Sequence, residues 1–89
     1  MELKNKNYLE YKGKPLVREG DTLYYGFVND PYILRIDIFM KDTNGDPTMV
    51  FGTICPTNDT NKVIKQLNKA GLYEALDIGA EWLEQYNKE

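Results

Sequence analysis

The sequence predicts an α+β fold, an antiparallel meander of four or five strands followed by two C-terminal helices packed on one face of the sheet. Two observations lead to this prediction. β-rich runs separated by turn residues occupy the first part of the chain. From Thr57 onward, apolar residues recur at a helical spacing instead. Because 89 residues have room for one hydrophobic core, we predict a single α+β domain at 8–89 after a flexible N-terminus at 1–7.

The central hairpin is the clearest local signal. Asn44-Gly45 is typical of a two-residue type I′ turn, and it lies between two β-rich runs. Counting outward from this turn fixes a register that gathers apolar side chains on one face of the sheet. The predicted pairs are Met40 with Met49, Ile38 with Phe51, Ile36 with Thr53 and Leu34 with Cys55.

The same register leaves an apolar cluster on the opposite face, beside Arg35 and Asp37. Two helices on one face do not cover it, and aliphatic and aromatic residues clustered on a sheet face often mark a contact with another chain. A second copy is the simplest cover, either through this face or by pairing of edge strands, so we predict a homodimer. The cluster is Ile33, Phe39, Val50 and Ile54.

A second hairpin is predicted upstream. Residues 15–18 and 22–27 are β-rich and flank Glu19-Gly20-Asp21, for which several turn types and registers remain possible. A short first strand at 8–11 precedes Lys12-Gly13, a further turn signal. These segments complete the predicted meander.

Two helices are predicted, at about 57–70 and 72–87, and the sequence leaves open whether they are separate or form one kinked helix. In the first, Val63, Ile64, Leu67 and Ala70 recur at helical spacing, and Gly71 is placed to end the helix. The second is amphipathic, and Gly79 within its apolar stripe indicates close approach to the sheet. Its opposite face carries an acidic stripe formed by Glu74, Asp77, Glu81 and Glu84.

Several stretches resemble a group of small, uncharacterised bacterial proteins of similar length that has no assigned activity. The resemblance implies a bacterial, stand-alone cytoplasmic domain, and it assigns no functional residue. The stretches are YKGKPLVR at 11–18, YYG at 24–26, GLYEALDIG at 71–79 and WLE at 82–84.

The composition excludes several kinds of chemistry. The chain contains no histidine, so it has no Ser/His or Cys/His nucleophile pair and no histidine ligand for zinc. Cys55 is the one cysteine, so no intrachain disulfide can form, and we expect it to be a buried structural thiol. We therefore predict a protein that is not an enzyme and binds neither metal nor cofactor. With no secretory signal and no membrane-spanning apolar run, a cytoplasmic location is expected.

The net charge of −3 and an acidic middle segment argue against broad DNA binding, which needs a large basic face. We predict a non-enzymatic protein–protein interaction module that uses the apolar cluster, the acidic stripe or the tyrosine-rich N-terminal hairpin. The alternative is weak binding of single-stranded nucleic acid, in which tyrosines stack on bases and basic side chains hold the backbone. A small-molecule site between helix and sheet is a third possibility. The residues of the nucleic-acid alternative are Tyr8, Tyr11, Lys12, Lys14, Arg18, Tyr24 and Tyr25.

Overall fold

A computed structural model of the chain describes residues 8–88, and the predicted flexible segment 1–7 lies outside them. The described residues form one six-stranded sheet followed by one helix, and each strand pairs antiparallel with the next along the chain. The α+β class and the antiparallel meander are confirmed, whereas the predicted strand number is too low and the predicted helix number too high. The elements are β1 (Tyr8–Tyr11), β2 (Lys14–Glu19), β3 (Thr22–Tyr25), β4 (Tyr32–Lys41), β5 (Pro47–Pro56), β6 (Lys65–Lys69) and α1 (Leu72–Lys88).

The first two hairpins use tight turns. Between β1 and β2, Lys12 and Gly13 both have positive φ, 51° and 81°, as a type I′ turn requires. Between β2 and β3, Glu19 pairs with Thr22, and Gly20 has a φ of 63° at the first loop position, which fits a type II′ turn. The register that the sequence left open is therefore fixed by a two-residue loop.

The turn between β4 and β5 contains three residues rather than two. Gly45 N–H donates to the Asp42 carbonyl at 3.0 Å, and Asp42 N–H donates to the Asp46 carbonyl at 2.9 Å. Gly45 has a φ of 85°, whereas Asn44 has no positive φ. This is the geometry of a type I turn followed by a left-handed glycine. The predicted type I′ turn at Asn44-Gly45 is wrong.

The longer turn changes which residues of β5 face the core. Met40 faces Met49 as predicted, between two local irregularities, but Ile38 faces Val50, one position earlier than predicted. A shift of one residue moves a strand's side chains to the opposite face. Val50 and Ile54 are therefore fully buried beneath α1, and their predicted place on the opposite face is wrong. We call the side of the sheet under α1 the core face and the other side the helix-free face.

The predicted helix at 57–70 is also wrong, because this segment forms a connection at 57–64 and then strand β6. Of the four apolar residues at helical spacing, Leu67 alone is buried. Leu67 lies opposite Gly52, and a Cβ atom added at Gly52 would be 3.3 Å from Leu67 Cγ. Leu67 thus occupies the space that the glycine leaves on the core face.

Helix α1 packs on β4, β5 and β6. A Cβ atom at Gly79 would lie 2.6 Å from Leu34 Cδ2, which confirms the predicted close approach of helix and sheet. Near the end of α1, Asn87 Nδ2 donates to the Tyr32 carbonyl at 3.1 Å, and Tyr32 N–H donates to Asn87 Oδ1 at 3.0 Å. Lys65 Nζ lies 4.1 Å above the Trp82 ring. No helix in residues 8–88 is long and apolar enough to cross a membrane.

Candidate interaction surfaces

The helix-free face carries a mixed row of side chains that crosses four strands. Val17 pairs with Tyr24, Tyr24 with Arg35, and Arg35 with Thr53. Directly opposite residues on neighbouring strands project to the same side, so these four side chains lie next to one another. This row is therefore mixed, whereas the buried side chains of the core face beneath α1 are mostly aliphatic.

A hydrogen-bonded network fixes the centre of this face. The Asp37 carboxylate accepts from Thr22 Oγ1 at 3.0 Å and from Arg35 Nε at 3.1 Å. Arg35 Nη1 also donates to the Thr60 carbonyl. This last bond draws the connection 57–64 onto the helix-free face, so the segment predicted as a helix covers the side of the sheet opposite to the one expected.

The covered part of the helix-free face contains Thr53 and Cys55, both fully buried. Gln66 Nε2 donates to Thr53 Oγ1 at 3.2 Å, which satisfies a buried hydroxyl. Burial raises the pKa of the Cys55 thiol, so the reactive thiolate is disfavoured. The predicted buried thiol is confirmed, although it lies on the face opposite to the predicted one.

A pair of aromatic rings, Phe39 exposed and Phe51 half-buried, lies on the uncovered part of the helix-free face. Phe39 is 66% exposed, and its ring packs edge-to-face on Phe51 with 5.4 Å between ring centroids. Phe39 is the residue of β4 left without a partner between the pairs Ile38–Val50 and Met40–Met49. Such irregularities re-aim a side chain. The pair thus stands at the surface rather than in the core.

An apolar pocket of about 220 Å³ lies at the other end of the same face. Its lining includes Val17 and Tyr24 from the strands, Ile33 at the start of β4, and Phe27 and Val28 from the β3–β4 connection. Val28 is 80% exposed. The helix-free face therefore carries an apolar projection at one end and an apolar recess at the other.

A second surface is a groove of about 420 Å³ between the β1–β2 turn and α1. Lys12 and Lys14 line one side, and Asp77, Glu81 and Glu84 line the other. The structure thus brings three of the four residues of the acidic stripe together with two lysines of the nucleic-acid alternative across one groove. Lys12 Nζ is 3.1 Å from Asp77 Oδ1, so part of this charge is already paired within the fold.

Two tyrosines, Tyr11 at the end of β1 and Tyr25 at the end of β3, are engaged in packing beside this groove. Tyr11 donates its hydroxyl to the Asp77 carboxylate, and that bond, together with Lys12, lowers the pKa of Asp77. The same hydrogen bond raises the pKa of Tyr11. Tyr25 is buried and donates its hydroxyl to the Tyr11 carbonyl at 2.8 Å. The Tyr25 ring is therefore not accessible for stacking on a base.

The residues of the nucleic-acid alternative do not share one face. Tyr24 lies on the helix-free face, whereas Tyr25 belongs to the core and Lys14 lines the groove. Arg18 is exposed, with Nη2 3.8 Å from Asp21 Oδ1. The side chain of Tyr8 is outside the described part of the chain.

The predicted protein-binding residues are also divided. Phe39 is exposed. Ile33 is buried, with 7% of its surface exposed, and forms part of the wall of the apolar pocket, whereas Val50 and Ile54 are core residues. The four acidic residues of α1, Glu74, Asp77, Glu81 and Glu84, are exposed.

Sequence reasoning missed Phe51 as a surface residue because the two-residue turn placed it on the core face. A signal was present, since aspartate at the first position and glycine at the fourth favour a type I turn. Asp42 Oδ1 indeed accepts from Asn44 N–H at 2.9 Å and from Asp46 N–H at 3.0 Å.

No protein-family model, curated protein or solved structure matches the chain. Within residues 8–88, no three acidic or cysteine side chains are grouped as metal ligands. The candidate function therefore rests on the two surfaces described above.

Proposed function

We propose that the protein is a non-enzymatic interaction module that binds a protein partner through the helix-free face of its sheet. The observation that supports this most is the exposed Phe39 ring, held on Phe51 at a strand irregularity. An aromatic side chain in that position contributes little to the core of its own chain. When the ring packs on a partner, a large apolar surface is removed from water.

The composition of the face supports the same proposal. Protein interfaces are enriched in aromatic residues and arginine, and they place polar groups around an apolar centre. Here Phe39, Phe51 and Tyr24 lie on one face with Arg35, whose hydrogen bonds hold it in place. A fixed side chain loses less conformational entropy on binding than a mobile one.

The β6 edge of the sheet is a weaker candidate than this face. Two copies of β6 paired antiparallel about Leu67 would set Lys65 of each copy opposite Lys69 of the other. Like charges directly opposite one another destabilise a strand pair, and lysines commonly protect sheet edges.

The groove beside α1 is also a weaker candidate. Asp77 already accepts from Tyr11 and pairs with Lys12, so a ligand would have to compete with both contacts.

The nucleic-acid alternative is weaker too. The Tyr25 ring is buried and cannot stack on a base, and Glu19 and Asp37 place negative charge on the helix-free face, where it would repel phosphates.

The test compares two substitutions of exposed apolar residues. Phe39→Asp changes the helix-free face, whereas Leu9→Asp changes β1 on the core-face side, where Leu9 is 57% exposed. Immobilised wild-type protein and Leu9→Asp should retain the same protein partner from a cell extract, and Phe39→Asp should lose it. Equal retention by Phe39→Asp would overturn the proposal. Salt-sensitive binding of single-stranded RNA that survives Phe39→Asp would favour the nucleic-acid alternative instead.

A further inference from the structure

We propose that the partner on the helix-free face is a second copy of this chain, in a twofold dimer in which Phe39 of each copy fills the apolar pocket of the other. This inference rests on the proposed function, because it uses the same face and names its occupant. Four features of that face support it: the spacing of Phe39 and the pocket along β4, the size of the pocket, the charges beside Ile36, and the position of the connection 57–64.

The projection and the pocket are equally spaced along β4. Ile36 lies midway between Phe39 and Ile33, and at 3.3–3.4 Å per residue each is about 10 Å from it. Consider a twofold axis that lies in the plane of the interface, passes over β4 at Ile36 and is perpendicular to this strand. It reverses the strand direction of the second copy and sets Phe39 of each copy over Ile33 of the other. Such an interface is self-complementary, as a twofold contact must be.

The pocket has room for an aromatic ring. A cavity of about 150 Å³ accommodates a benzene molecule, and the pocket measures about 220 Å³. Val17, Tyr24 and Ile33 give it an apolar lining. Filling it would bury Val28, which is 80% exposed in the single chain.

The charges on either side of the same axis are complementary. Arg35 and Asp37 flank Ile36 on β4 and project to the helix-free face. Within each chain Arg35 and Asp37 already pair at 3.1 Å. The twofold operation sets the two pairs antiparallel, with Arg35 of each copy over Asp37 of the other, so the internal pairs need not be broken and the four charges form one network. With the two β4 strands parallel instead, arginine would lie over arginine and aspartate over aspartate. Charge complementarity thus selects the antiparallel arrangement.

The shape of the helix-free face fits the same twofold arrangement. At the end of the face that contains the pocket, the connection 57–64 covers Thr53 and Cys55 on β5, whereas the pocket lies beside it towards β2 and β3. The end with Phe51 is open. The axis sets the connection of each copy against the open end of the other. Two sheets packed face to face in this way lie about 10 Å apart, with their strands within roughly 30° of each other.

Complementary charge variants test the central contact. Wild-type protein should sediment as a dimer, whereas Arg35→Glu alone and Asp37→Lys alone should sediment as folded monomers. An equimolar mixture of the two variants should recover the dimer, because each mixed pair again sets opposite charges across the axis. Within each chain the Arg35–Asp37 pair stays broken, so a purely internal role predicts no recovery. A mixture that stays monomeric, with both variants folded by circular dichroism, would overturn the proposal.

Cysteine crosslinking tests the contact between Phe39 and the pocket. The double variant Phe39→Cys/Val28→Cys lacks the Phe39 ring and should dimerise more weakly, but mild oxidation should still trap it as a covalent dimer, seen on a non-reducing gel. Phe39→Cys alone should not be trapped in this way, because the two copies of position 39 are roughly 20 Å apart. Crosslinking of the single variant to the same extent would contradict this geometry. A double variant that gives no covalent dimer, with wild-type protein dimeric, would overturn the contact between position 39 and the pocket. The native Cys55 is buried and does not compete.

Failure of this inference differs from failure of the proposed function. A wild-type protein that sediments as a monomer at every concentration, but whose retention of another protein is lost with Phe39→Asp, overturns the dimer alone. A monomer that retains no protein overturns both.

Discussion

On the core face, α1 packs the side chains of Leu76 and Leu83 against a sheet of aliphatic residues. On the helix-free face, the connection 57–64 is held by hydrogen bonds, such as the one from Arg35 to the Thr60 carbonyl, and covers only part of the surface. Ile54 and Cys55 are adjacent on β5 and both fully buried, but on opposite faces. Equal burial therefore comes from two kinds of cover, a helix packed by apolar contacts and a loop fixed by polar ones.

The largest expected effect on stability comes from a substitution beneath α1, and it is compared with a substitution beneath the connection 57–64. Ile54→Ala should cost about 2–5 kcal/mol, because it removes a large side chain from a tightly packed core. Cys55→Ala removes a single heavy atom beside the connection and should cost about 1 kcal/mol. Urea unfolding of both variants gives the two values. Equal losses would mean that the connection packs as tightly as α1.

The close approach of α1 to the sheet can be tested at Gly79. Gly79→Ala should destabilise the protein by about 1–3 kcal/mol, because the new Cβ atom would overlap Leu34. The substitution improves helix propensity by about 1 kcal/mol, so a net loss isolates the steric conflict. Glu81→Ala, on the exposed side of α1, should change stability by less than about 0.5 kcal/mol. A rise in the melting temperature of Gly79→Ala would show that Leu34 moves aside freely.

The connection 57–64 can be tested through the thiol that it covers. Thr57 Oγ1 donates to the Asp30 carbonyl and anchors the start of the connection. Thr57→Val should speed the reaction of Cys55 with Ellman's reagent by a few-fold to about tenfold, which corresponds to the loss of one hydrogen bond. Thr48→Val, at an exposed position of β5, should leave the rate unchanged. Unchanged labelling in Thr57→Val would mean that the thiol is reached by another route.

The smallest expected effect concerns the contact between α1 and the β1–β2 hairpin. The hydrogen bond from Tyr11 and the charge of Lys12 lower the pKa of Asp77 below its usual 3.8. Their stabilisation is therefore present above the unfolded pKa and is lost as pH falls through the folded value. Asp77→Asn should flatten the fall in stability between about pH 5 and pH 2, measured by thermal unfolding, whereas Glu74→Gln serves as a matched charge control. An unaltered pH profile in Asp77→Asn would contradict this contact.

Local pattern was enough to predict α1. The apolar stripe that contains Leu76, Gly79 and Leu83 is set by helical spacing, and the predicted span of 72–87 differs from the observed helix by one residue at its end. The spacing of Val63, Ile64, Leu67 and Ala70 was equally helical, yet the segment forms the edge strand β6. A strand depends on a partner distant in sequence, here β5, and short apolar runs do not distinguish the two states.

The candidate site was predictable in its parts but not in its arrangement. Phe39 was placed on the face opposite the helices from alternation alone, and the structure keeps it there. Phe51 was missed, because one extra turn residue reverses the faces of a whole strand. The groove between Lys12 and Asp77 joins residues from opposite ends of the described chain, and such a contact depends on how α1 crosses the sheet rather than on local pattern.

The position of α1 after all six strands affects how the protein is made. Synthesis proceeds at about 5–20 residues per second from the N-terminus, so every strand leaves the ribosome before the helix that covers it. Until then Leu34, Ile36 and Ile54 have no cover on a nascent sheet. A chain that stalls within α1 presents these residues to neighbouring nascent chains, so emergence of α1, rather than pairing of the strands, removes them from contact with other chains during translation.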